Sequence, residues 1–118
     1  MAAANLNTNK VALGDNALTA VTLTALDGTD GGEYTVANPS SETLFIVVNA
    51  DTSNAETVTL KKPASPCMGE GTAFPDKAVS VAAGKTAVLR VESMRYMGKD
   101  GKIKLTGSAD VKVAVIEM

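Results

Sequence analysis

Five consecutive apolar residues, Leu44, Phe45, Ile46, Val47 and Val48, three of them β-branched, set the tightest limit on what this chain can fold into. The run has the length of a strand, and a strand with consecutive apolar side chains is covered on both faces. Ser40 and Ser41 open the segment, and Asn49, Asp51, Thr52, Ser53 and Asn54 close it with turn-forming side chains. The other strand candidates alternate apolar and polar residues, so each has one dry face and one wet face. The simplest arrangement puts residues 44–48 centrally, with the alternating strands around them.

Along the chain, the alternation predicts about eight strands. Residues 18–26 place Val21, Leu23 and Ala25 on one face and Thr22 and Thr24 on the other. Residues 27–32 read as a turn. Asp27 and Asp30 stand three apart and no distal Glu follows at the calcium-loop distance, so a hairpin is favoured over a calcium site. Residues 33–37 form a short strand ended by Asn38 and Pro39. Residues 57–61 turn Val58 and Leu60 inward and Thr57, Thr59 and Lys61 outward, and Lys62 and Pro63 stop them. Residues 78–81 turn Val79 and Val81 to one side. Gly84, Lys85 and Thr86 superficially match a phosphate loop, but Val79 stands where its first glycine belongs, and residues 86–92 read as a strand, not a helix. Residues 93–98 are one helical turn or a loop. A turn at 99–101 leads into 102–106, with Ile103 and Leu105 inward. Val111, Val113 and Val115 share one face of the last strand, 111–118. The fold class that follows is all-β: a single-domain antiparallel β-sandwich or jelly roll over 18–118, with an extended N-terminal arm over 1–17. The arm, with Leu6, Val11 and Leu13 too far apart for an amphipathic helix, is either a frayed terminus or a segment that becomes ordered on a partner.

Chemistry is sparse. The chain has no His and a single cysteine, Cys67, so there is no imidazole base, internal disulfide or His-based metal site. Cys67 lies in the irregular stretch 64–77 and reads as an inert thiol, because no base accompanies it. The thirteen acidic residues are scattered over turns and wet faces. Lys102 and Lys104 share one strand face and read as a solvated face or an edge guarded by charge. No enzyme activity, cofactor or metal is predicted. A net charge of −2 and a pI near 5.0 give no basic field for nucleic acid or an anionic membrane. No apolar stretch nears the roughly 20 residues that span a bilayer, and no signal peptide is predicted from the first ten residues. Aromatics are only 3% of the chain, so the core is aliphatic and gains from assembly.

The segments LFIVVNA (44–50), VTL (58–60), VSVAAGKTAVLRVES (79–93), Tyr96, DGKIKLT (100–106) and VKVAVIEM (111–118) together resemble small structural proteins of tailed bacteriophages. The resemblance is to capsid decoration (cement or head auxiliary) proteins of the β-sandwich type. It implies a non-enzymatic virion protein, made in the host cytoplasm and placed on the outer capsid surface. Its partners would be the major capsid protein and itself, as a homotrimer, and it would stabilise the expanded head by bridging capsomers. Within that picture the arm residues Asn5, Leu6, Asn7 and Lys10 are the candidate capsid contacts. Met94, Tyr96 and Met97 either cap the core or face a neighbouring subunit. The second reading is a phage tail, baseplate or host-surface binding module, against which the missing aromatic platform for sugars counts.

Overall fold

A computed structural model describes residues 3–6, 8–10, 22–67 and 75–117. In chain order these form β1 (Ala4–Asn5), β2 (Thr8–Lys10), β3 (Thr24–Ala25), β4 (Gly32–Thr35), β5 (Glu42–Asn49), β6 (Glu56–Lys61), β7 (Lys77–Val81), β8 (Thr86–Glu92), a single helical turn α1 (Ser93–Tyr96), β9 (Lys102–Thr106) and β10 (Val111–Glu117). The strands pack as two sheets, the expected all-β sandwich. The first has the order β1-β4-β9-β6-β7. The second runs β2-β10-β5-β8, with β3 pairing a different stretch of β10 from β2. The β1–β4 and β2–β10 pairs are parallel and the rest are antiparallel. Among the described strands only β6 and β7 are consecutive and paired with each other, so the core is assembled from distant parts of the chain.

The apolar run becomes β5, which is central: β10 lies along one side and β8 along the other. Phe45 sits between Leu89 and Val115, and Val47 between Ala87 and Val113, all facing the core. The first sheet contributes Tyr34, Val58, Leu60, Ile103 and Leu105 from the opposite side. Tyr34 meets Phe45 edge-on, with ring centroids 6.2 Å apart and planes at 83°, the favoured geometry for an aromatic pair. The second face of the run, Leu44, Ile46 and Val48, is only half-buried. The inward sets of β6, β9 and β10 are those the alternation predicts.

Two expectations are corrected. Residues 4–6 and 8–10 are not a detached arm: β1 and β2 each join a sheet, and Leu6 is 7% exposed in the core. The slot for Leu6 exists because Gly32 has no side chain; a Cβ there would lie 3.0 Å from Leu6 Cδ2 and 2.7 Å from Leu26 Cδ2. Residues 11–17 of the predicted arm, and 18–21 of the predicted first strand, lie outside the described residues. The described remainder of that strand is only Thr24–Ala25, and its facing is reversed: Leu23 and Ala25 point outward while Leu26 is buried. Leu26 is seated by its own N–H, which donates to the Val111 carbonyl at 2.9 Å, directly before the Asp27–Gly31 turn.

Both ends of β5 are fastened by buried polar side chains. At the C-terminal end Asn49 Nδ2 donates to the carbonyls of Asn54 (2.9 Å) and Val81 (3.1 Å), and Asn49 Oδ1 accepts the Asp51 N–H at 2.9 Å. At the other end the Thr43 and Ser93 hydroxyls are 2.7 Å apart, and Ser93 Oγ donates to the Ser41 carbonyl at 2.6 Å. Among the described residues no buried side-chain nitrogen or oxygen lacks a partner.

Replacing Asn49 with Ala strands two carbonyls and an N–H, and is expected to cost about 3 kcal/mol. Asn54→Ala removes only an exposed contact to Asp51 and should fall below about 0.5 kcal/mol. Urea denaturation at neutral pH measures both. Gly31→Ala is the second test. Gly31 has φ +74° and an added Cβ would lie 2.0 Å from the Leu105 carbonyl oxygen, whereas Gly84, at φ +68°, has nothing within 4 Å. Gly84→Ala should cost about 1 kcal/mol and Gly31→Ala several-fold more.

Candidate interaction surfaces

The outer face of the second sheet is apolar. Its register puts Leu44 beside Ile116, Ile46 between Ala114 and Val88, and Val48 beside Lys112 and Thr86. Exposure rises across this face. Ala114 and Ile116 on β10 are buried, the β5 residues are half-buried, and Val88 on β8 is 61% exposed. The open side therefore coincides with β8, which among the described residues pairs with β5 on one flank only. Charge is confined to one half of that edge. Arg90 pairs with Glu42, and Glu92 with Arg95 at 2.8 Å, leaving Thr86, Ala87 and Val88 uncharged.

The outer face of the first sheet is the opposite in character. Lys61 on β6 stands directly across from Lys104 on β9, with Lys102 two residues along. Like charges facing each other across strands are unfavourable. Each strand lysine has an acidic neighbour: Asp76 at 2.7 Å from Lys61, Glu33 at 3.3 Å from Lys102 and Asp100 at 3.5 Å from Lys104. Loop residues Lys62 and Lys99 stand beside them, and the five lysines border a depression of about 570 Å³ whose wall also includes Tyr96, Ser65 and Thr106. Because β9 lies between β4 and β6, Lys102 and Lys104 are on a solvated interior strand, not a guarded edge. In the sequence Lys61 and Lys62 stand far from Lys99, Lys102 and Lys104. Only the β6–β9 pairing brings them together.

The residues singled out from the sequence divide. Leu6 is in the core, Asn5 is exposed on β1, and Lys10 lies in β2. Asn7 is outside the described residues. Met94 is 40% exposed on α1, Tyr96 is half-buried against the core, and Met97 is buried in it. The three do not form one surface. Cys67 is half-buried, its thiol donating to the Met94 carbonyl at 3.3 Å. Asp27 Oδ1 accepts the N–H groups of Thr29 and Asp30 and so closes its turn. Gly84 sits in a turn that feeds β8, so no helix follows the Gly-Lys-Thr sequence. Among the described residues Asp51, Glu56 and Asp110 bring carboxylate oxygens within 4.8 Å of one another. Asp51 already accepts N–H groups from Ser53 and Asn54, and these capping bonds account for its part in the cluster. No helix among the described residues is long and apolar enough to cross a membrane.

No protein-family model, no curated protein and no solved structure matches this chain.

Four exposed carboxyl groups are more acidic than usual. Asp27 is lowered by the Asp30 and Thr29 N–H groups, Asp51 by the Ser53 N–H and then Asn54, Asp76 by the Lys61 ammonium and the Lys62 N–H, and Glu42 by the Arg90 guanidinium. A carboxyl lowered in the folded state adds stability that is complete above its unfolded value, 3.8 for Asp and 4.5 for Glu, and is lost as pH falls through the folded value. With no His in the chain, the urea midpoint should stay level between about pH 5.5 and 7.5 and fall below about pH 4. Asp27→Asn should make the acid-side fall shallower.

Proposed function

We propose that this chain is a non-enzymatic virion structural protein that binds the outside of a tailed-phage capsid as a homotrimer and stabilises the expanded head by bridging capsomers. The observation that carries this reading is the open edge of the second sheet. Among the described residues β8 pairs on one flank only, and it has an uncharged half and an exposed Val88 beside the half-buried Ile46. Monomeric proteins blunt such edges with charge, proline or bulges. A protein surface laid along β8 would satisfy its main-chain groups and cover Val88. The major capsid protein as partner, the outer-capsid location and the trimeric state come from the resemblance of the sequence to decoration proteins.

The energetics agree with a bound role. An aliphatic sandwich with one cysteine and no disulfide gains stability from any partner that binds only its folded form. Weak contacts repeated around a symmetric shell add through avidity. The inclusion of Leu6 in the core takes that residue out of the capsid contact and leaves β8 as the better candidate. The basic depression on the other sheet favours a further role on a host surface.

Co-sedimentation with expanded and unexpanded heads of the source phage tests the reading. Saturable binding to expanded heads only, reduced about tenfold or more by Val88→Lys, is the expected result. Binding to neither head contradicts the capsid role, and undiminished binding of the variant contradicts the part given to β8. Lysine at an exposed edge position is compatible with the fold, and an unchanged thermal midpoint checks this.

A further inference from the structure

We infer that the depression on the first sheet is a binding site for an acidic saccharide, whose carboxylate or sulfate groups are carried on a hydroxyl-rich chain. The inference is independent of docking through β8, because the two surfaces are on opposite faces of the sandwich.

The charge at this place is out of proportion to the rest of the molecule. Five of the chain's eleven cationic side chains, Lys61, Lys62, Lys99, Lys102 and Lys104, line one depression, while the chain as a whole carries −2. Only Asp30 and Asp100 among its lining residues are acidic. Folding gains nothing from placing Lys61 opposite Lys104. The carboxylates that hold Lys61 and Lys104 do so in exposed pairs, which exchange readily for another anion, whereas the Lys102–Glu33 pair is partly buried. Among the described residues Lys62 and Lys99 form no ion pair at all.

The donors present select the kind of anion. Compact phosphates are held by converging main-chain N–H groups or by the arginine fork. Several of the lining main-chain donors are already used: Lys62 N–H goes to Asp76 Oδ1, Lys102 N–H to Asp100 Oδ1, Lys99 N–H to the Ser65 carbonyl and Gly98 N–H to the Lys102 carbonyl. No arginine lines the site. The cationic groups are ammoniums on long flexible stems, suited to charges spread along an extended ligand.

An acidic peptide fits less well than a sugar. Extended peptides are recognised by adding to an open strand edge, and β6 and β9 are both interior strands of their sheet. The rest of the wall offers side-chain hydroxyls, from Ser65 and Thr106. These match ring hydroxyls. The volume of about 570 Å³ lies within the range of small-ligand sites. Scarcity of aromatics counts against neutral sugars held by stacking, but not against an acidic one held by charge.

The test is calorimetric titration of trigalacturonate into the full chain at low salt. Saturable binding that weakens with salt is expected. Lys62→Gln with Lys99→Gln should weaken it about tenfold, while Lys85→Gln with Lys112→Gln, the same charge loss away from the depression, should leave it within about twofold. Both pairs are exposed and outside the core, so the thermal midpoint should not move. No binding overturns the inference, as does an equal loss in both double variants, which would mean unlocalised attraction. Equally tight binding of an oligoglutamate of the same charge overturns the saccharide assignment in favour of an acidic peptide.

Discussion

Strand β5 holds the two sheets in place because both its ends are anchored by buried polar groups. The Asn49 side chain bonds to the Val81 carbonyl at the end of β7, so it ties the second sheet to the first. The Thr43–Ser93 hydroxyl pair ties the other end to the start of α1, where the chain leaves β8 for β9. Hydrophobic burial is non-directional, and an aliphatic core of Val, Leu and Ile would tolerate several registers. A buried amide with both its N–H groups and its oxygen hydrogen-bonded tolerates far fewer. The fixed register then decides which side chains face out, and therefore what both outer surfaces are made of.

Those surfaces differ for the same reason. On β5 the alternation is apolar on both sides, so the face turned away from the core is still apolar and stays open toward β8. On β6 and β9 each inward Leu or Ile alternates with an outward Lys or Thr, and their pairing gathers the lysines. One sheet thus presents a surface suited to burial against protein and the other a surface suited to anions in water. A sandwich with two unlike faces can be held by one and recognise through the other.

Much of the fold was legible in the sequence. The bounds of β8 and β9, the inward sets of β6, β9 and β10 and the central position of β5 all follow from local alternation and turn residues. Four things did not. Leu6 is a core residue because Gly32, far along the chain, leaves it a slot, and nothing near Leu6 signals that. The facing of residues 23–26 depends on where the Asp27–Gly31 turn closes, and a one-residue shift reverses every side chain of a strand. The lysine depression exists only because β6 and β9 are neighbours, a fact of topology with no local trace. The exposed edge at β8 was hidden for the same reason: a strand's sequence does not say whether it has one partner or two.

Hydrogen–deuterium exchange along β8, on the free protein and on protein bound to expanded heads, bears most directly on the central claim that this edge is where the chain is held. The amides of Thr86–Glu92 that face the open flank should exchange readily in the free protein and become protected in the bound one, with β6 and β9 little changed. Unchanged exchange along β8 in protein bound to heads, with protection arising on another surface, would contradict it.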